Sequence, residues 1–178
     1  MQNINGSTDN NYRYKMPFIK SSINGKGNGI FTTFANLEEI AKYLNQPQLL
    51  LLKFFATING SMANEERMTI TGGYSNEELQ KNLQIYINRF VMCPKCGIPE
   101  TIPQLIKENK KTCTIELKCS SCCTQSKIIY NNKIETKTGE QIIKYLEKNE
   151  WSVANKGIMV KSQILNEQVA DEEFNPFT

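Results

Sequence analysis

Four cysteines of this 178-residue chain fall into two pairs, Cys93 with Cys96 and Cys119 with Cys122, each enclosing two residues. Twenty-two residues separate the pairs. That spacing is the signature of a four-thiolate zinc site of ribbon type. Each short loop sets two sulfurs on one edge of a metal, and the residues between supply strands that bring the loops together. In the first loop, CPKCG, Pro94 stiffens the turn and Gly97 permits a positive φ after the second ligand. The second, CSSCC, puts Cys123 where the glycine would stand, so Cys122 and Cys123 compete as fourth ligand; the regular two-residue loop favours Cys122. Four sulfurs fill a tetrahedral shell and leave no place for water, so the implied zinc is structural, not catalytic. Cys113 alternates in phase with Ile115 and Leu117 and reads as an inward strand residue, not a ligand.

Three other stretches carry weaker chemistry. NYRYKMP sets Arg13 between Tyr12 and Tyr14 inside a polar leader. Disordered segments are poor in such aromatics, and a core strand has no use for Arg13 and Lys15 on one face. GKGNG (Gly25, Lys26, Gly27, Asn28, Gly29) invites comparison with a phosphate cradle. It lacks the spacing of one and joins two strands instead of opening a helix, so a hairpin turn is the first reading. Lys26 at its tip suits a phosphate-backbone contact and equally a solvated lysine. Lys53, inside LLLLKFF, is an ammonium set in an apolar helix, where snorkelling from the helix edge is the common outcome.

The chain contains no histidine. That excludes Ser/His and Cys/His catalytic arrangements and a mixed Cys/His metal site. Acid–base catalysis has no candidate either, since Glu38–Glu39 opens a helix and Glu65–Glu66 sits in a loop. A net charge of +3 and a pI near 8.5 permit a nucleic-acid partner without demanding one.

The elements that must position these residues give an α+β fold, a small mixed sheet with packed helices followed by the four-cysteine zinc ribbon. Residues 1–17 read as an extended N-terminal arm, 18–91 as the α+β domain, 92–129 as the ribbon, and 130–178 as a C-terminal extension. Strands over Phe18–Ile23 and Ile30–Ala35 flank the glycine turn. Asn36 caps the helix LEEIAKYL with Glu39 completing an approximate capping box, and Leu37, Ile40, Ala41 and Leu44 share its inner face. Pro47 opens a nearly all-apolar second helix. Ser75 and Glu78 start a third helix, whose inner face takes Leu79, Leu83, Tyr86 (or Ile87) and Phe90. The extension begins with a polar linker, YNNKIETKTG, continues as a helix over Glu140–Lys148, and ends in an acidic tail. No apolar run approaches the ~18 residues of a membrane span, and the N-terminus lacks a signal-peptide layout. The expected compartment is cytoplasmic, where cysteines serve as ligands or thiols before disulfides.

Arm, hairpin and ribbon together resemble the N-terminal domain of the eukaryotic translation initiation factor 5 family. The resemblance rests on YRYKMP (Tyr12–Pro17), GKGNGI (Gly25–Ile30), LEEIAKYLNQP, LLKFF (Leu51–Phe55) and INRFVMCPKCGIPET with the later cysteine pair. It covers roughly residues 9–128, and its ribbon half is shared with the beta subunit of initiation factor 2. It implies a factor that promotes GTP hydrolysis by initiation factor 2 carrying initiator transfer RNA, on the small ribosomal subunit at start-codon selection. Partners so implied are the gamma and beta subunits of initiation factor 2, the small subunit, and initiator tRNA with mRNA. Arg13 matches the residue regarded in the family as an arginine finger supplied in trans, and Lys53 matches a lysine implicated in the same activity. In the family the stretch matching Gly25–Thr32 is sometimes read as nucleotide-binding, against which the hairpin spacing argues; Phe31 stands where the family usually has lysine. Such a factor is an activator, not an enzyme with its own substrate pocket. Relatives continue into a helical-repeat domain whose functions are not implied here. Two alternatives stay open: a zinc-ribbon ribosome- or RNA-binding module without the activating role, and a beta-like subunit of initiation factor 2.

Overall fold

The computed structural model describes residues 1–107 and 113–149. The acidic tail expected at the C-terminus lies outside the described residues. Among those described, no helix is long and apolar enough to cross a membrane.

At the centre lies the apolar run after Pro47. It forms α2 (Gln48–Ile58), with Leu50, Leu51, Leu52, Phe54, Phe55 and Ala56 all buried. A helix apolar on nearly every side must be enclosed by other elements. On one side packs α1 (Leu37–Leu44), burying Leu37, Ile40, Ala41 and Leu44 as their spacing requires. On another packs α3 (Asn76–Tyr86), whose Ser75 hydroxyl accepts from the Glu78 N–H, the expected cap. Aromatic rings interlock around α2: Phe54 lies 5.0 Å from Tyr86, and Phe34 5.0 Å from Phe55.

The backbone widens into a π-helical turn over Ile87–Val91 directly after α3. Widening shifts the register of the inward face, so Tyr86, Ile87, Phe90 and Val91 are all buried. The spacing offered Tyr86 or Ile87 for that face; the structure uses both.

Strands β3 (Ser21–Asn24) and β4 (Phe31–Phe34) form the expected hairpin, its glycine segment closing in one 3₁₀ turn over Gly27–Gly29. With β5 (Ala63–Asn64) and β6 (Thr69–Thr71) they make a four-stranded antiparallel sheet in the order β3-β4-β6-β5. The cysteine module is a second antiparallel sheet, β7 (Thr101–Lys107), β8 (Cys113–Cys119) and β9 (Gln125–Lys127).

Three expectations need correction. First, the N-terminal arm is not extended: β1 (Gln2–Asn3) and β2 (Lys15–Met16) pair antiparallel, placing Ile4 and Met16 in the core. The Asn3 amide donates to the Ser7 and Asp9 carbonyls and closes the ribbon, while Gln84 of α3 donates to the Ile4 carbonyl. Second, Asn36 occupies the N-cap place of α1 without capping it. Its side chain instead accepts from the Lys20 N–H and donates to the Phe18 carbonyl, stapling the segment that enters β3. Third, the polar linker is helical from Lys133 onward. Helix α4 runs Lys133–Lys148, capped by Asn132, whose side-chain oxygen accepts from the Glu135 N–H. It packs along α2 and buries Thr138, Gly139 and Ile142. Gly139 lets the Tyr130 ring come close: a Cβ would stand 2.3 Å from its hydroxyl oxygen.

Candidate metal centre and exposed arginine

The four cysteines named by their spacing converge. Their sulfurs all lie within 4.8 Å of one another, with Cys93 to Cys122 and Cys96 to Cys119 each at 3.7 Å. Zinc–sulfur bonds of about 2.3 Å in a tetrahedron put sulfurs about 3.8 Å apart, so the donors present fit a dication of that kind. They could hold a metal ion. The centre is built by two turns, one leading into β7 and one leaving β8. Cys93 N–H donates to the Ile98 carbonyl and Gly97 N–H to that of Cys93, with Gly97 at φ +66°. In the other turn Cys119 N–H donates to the Thr124 carbonyl, and Ser120 N–H to the carbonyl of Glu100. Cys123 takes φ +57° and faces solvent outside the cluster. Among the described residues Cys113, at the far end of β8, also lies outside it.

The thiols differ in acidity. Hydrogen bonding from the Thr124 side chain and backbone draws Cys122 down to about 6, whereas desolvation pushes Cys96 up to about 12 and raises Cys119. A dication would override these differences, because coordination deprotonates a thiol outright.

Arg13 stands elsewhere, in the segment that joins β1 to β2, shortly before β2 begins at Lys15. It is exposed and makes no hydrogen bond or ion pair with any described residue. Its neighbours are the opposite. The Tyr12 ring packs against the core with its hydroxyl buried, and burial raises its pKa. The Tyr14 hydroxyl donates to Glu100 Oε1 at 2.5 Å, a bond that raises the tyrosine pKa, with burial acting the same way. The two rings meet at 5.9 Å. The arginine therefore projects from a fixed segment, not a loose one.

Lys53 emerges at the edge of α2, as a snorkelling lysine would, and its ammonium lies 2.9 Å from Glu65. The hairpin tip, Gly25 to Gly29 with Lys26, is exposed throughout. Gly25 at φ +91° lies so close to the returning chain that a Cβ would meet the Gly29 carbonyl oxygen at 2.1 Å. Strands flank the tip on both sides, so no α-helix opens there to aim its N–H groups at an anion. Neither hydrogen bond nor ion pair joins Arg13, Lys53 and Lys26 among the described residues. Glu100 was not singled out by the sequence; its bond to Tyr14 spans 86 positions and leaves no local trace.

Residues 5–125 match the family model described as a domain found in initiation factors 2B and 5. A probable eukaryotic translation initiation factor 5 of Schizosaccharomyces pombe is 41% identical over 118 residues, 64% of this chain and 29% of that protein. Eukaryotic translation initiation factor 5 of Drosophila melanogaster is 34% identical over 139 residues, covering 75% of the chain and 29% of the relative. The protein of that name from Phaseolus vulgaris is 36% identical over 142 residues, 76% and 31% respectively. The chain thus spans under a third of the length of these curated relatives.

Proposed function

Because the chain belongs to the family defined by the domain found in initiation factors 2B and 5, we propose that it acts in translation initiation, promoting GTP hydrolysis by initiation factor 2 through Arg13 supplied in trans. The observation that carries this reading is an exposed guanidinium, unpaired among the described residues and held between two anchored tyrosines. A planar guanidinium inserted beside a transferring phosphoryl group neutralises charge that develops there, and its forked donors fit phosphate oxygens in a way an ammonium does not. Such fingers are worth about 10³–10⁵ in rate. Anchoring on both sides keeps the entropic cost of placing it low.

GTP belongs to the partner in this scheme, so the chain is an activator and not a catalyst with its own substrate. Its partners are the gamma and beta subunits of initiation factor 2, the small ribosomal subunit and initiator tRNA with mRNA, in the cytoplasm. We assign the four-thiolate centre to structural zinc, held by Cys93, Cys96, Cys119 and Cys122, supplying folding energy to a three-stranded module. Lys53 is at most a supporting contact, since it must first leave Glu65.

Single-turnover GTP hydrolysis by the initiation factor 2 ternary complex on small subunits, with wild type and Arg13→Lys, tests the reading. Lysine keeps the charge and loses the fork, so a large loss is expected. One observation favours a second reading, an RNA-binding module without the activating role: Lys26 is presented at a fully exposed hairpin tip. Equal rates for the two proteins, with small-subunit binding weakened by Lys26→Ala, would select it.

A further inference from the structure

Arg13 makes no hydrogen bond or ion pair among the described residues, yet the residue beside it reaches into the cysteine module. The Tyr14 hydroxyl donates to Glu100 Oε1 at 2.5 Å. Glu100 is half-buried, and its backbone is tied to the second metal-binding turn. Its carbonyl accepts from Ser120, directly after Cys119, and Thr101, the next residue, sits opposite Cys119 in the β7–β8 register. On the other side, the Tyr14 carbonyl accepts from the Ile4 N–H, which closes the N-terminal ribbon. A continuous chain of short bonds therefore runs from the second cysteine turn through Glu100 and Tyr14 to the backbone that carries Arg13.

We propose that Tyr14 and Glu100 are positioning residues for Arg13, and that the closed four-cysteine centre holds the arginine's ribbon in place through their bond. The functional half of this rests on the activating role given to Arg13 above. Tyr12 fixes its side of the arginine by packing of its ring and a backbone bond from its N–H to the Asp9 carbonyl, with no hydrogen-bond partner for its hydroxyl among the described residues. Only the Tyr14 side is adjustable by the metal module. A short bond to an ionised acceptor is among the stronger side-chain bonds, so its loss should free the ribbon locally without unfolding the core.

Hydrogen exchange at the Ile4 amide reads the ribbon directly, since that N–H bonds to the Tyr14 carbonyl. In the full metal-loaded chain, Tyr14→Phe and Glu100→Ala should each exchange about tenfold faster or more there. Glu100→Gln keeps an acceptor oxygen but loses the charge, so its exchange should fall between wild type and Glu100→Ala, a partial rescue that mere loss of the carboxylate would not give. Amides of α2 should be unchanged in all three, which shows that the core is intact. Removing metal with a chelator should speed Ile4 exchange in wild type and add little in Glu100→Ala. GTP hydrolysis in the ternary-complex assay should fall in the same order as exchange rises. Unchanged Ile4 exchange in Tyr14→Phe and Glu100→Ala overturns the positioning role, whatever Arg13 does. Faster exchange with undiminished hydrolysis overturns its functional half; if Arg13→Lys also leaves hydrolysis undiminished, the reading of Arg13 has failed, not the bond.

Discussion

Replacing Arg89 by methionine should loosen the docking of α4 and lower stability by an amount the geometry sets. Arg89 projects from the π-helical turn and donates to Glu135 Oε2 at 2.8 Å and to the Ile129 carbonyl at 2.7 Å. Glu135 is 7% exposed and is also held by the Asn131 N–H at 2.8 Å and the Asn132 amide at 3.2 Å. Burial by itself would raise its pKa, but the bonds from Asn131 and Arg89 outweigh it and hold the carboxyl below its usual range. Methionine keeps the apolar stem and removes the charge. Of the two bonds lost, the charge-assisted one to Glu135 is worth about 1.5–3 kcal/mol, and the one to the exposed Ile129 carbonyl adds little because water replaces it. Two neutral donors remain on the carboxylate, so the penalty stays under the roughly 3–5 kcal/mol of a stranded buried charge. A loss of about 2–3 kcal/mol should follow, or about 4–12 °C in Tm for a chain of this size.

The pH dependence has a definite sign. A depressed carboxyl contributes stability that is present above the unfolded value of about 4.3 and is lost as pH falls through the folded one. Wild type should therefore lose its advantage over Arg89→Met in acid, below about pH 4. Urea unfolding of both metal-loaded proteins at pH 7 and across the acid range measures this. A difference under about 0.5 kcal/mol at pH 7, or one that widens in acid, would refute the reasoning.

Two further outcomes follow from the metal centre and the hairpin. Metal analysis should find about one zinc per chain in wild type and Cys123→Ser, and none retained by Cys122→Ser after dialysis against chelator; equal retention by both variants would disprove the ligand assignment. Gly25→Ala should cost about 1–3 kcal/mol, because it joins a positive φ to a backbone collision, whereas Gly29→Ala, with open space around it, should cost under about 1 kcal/mol. Thermal melts of the two read this difference, and equal melting points would contradict the geometry.

Legibility followed the range of the interactions. The cysteine centre was readable because each half is a local turn with a fixed spacing, and even the choice of Cys122 over Cys123 follows from loop length. The inner face of α1 and the Ser75 cap were readable for the same reason. The closed N-terminal ribbon was not: it contributes Ile4 and Met16, one core residue on each side, too few to set a period. The first turns of α4 were hidden by Thr136, Thr138 and Gly139, poor helix formers in isolation. Packing against α2 and the close approach of Tyr130 override that preference. Asn36 misled because its side chain bonds Lys20 and Phe18, partners supplied by the hairpin and not by the helix it precedes. At the arginine, the residues themselves showed the guanidinium and its flanking tyrosines but not what anchors them, since Glu100 lies 86 positions away from Tyr14.

Arg13 is proposed to act on a partner's phosphoryl transfer through its planar fork. Its most direct test is the single-turnover rate of GTP hydrolysis by the initiation factor 2 ternary complex on small ribosomal subunits, with Arg13→Lys set against wild type at matched occupancy. A loss of at least about a hundredfold with binding retained is expected. Equal rates for arginine and lysine would contradict it.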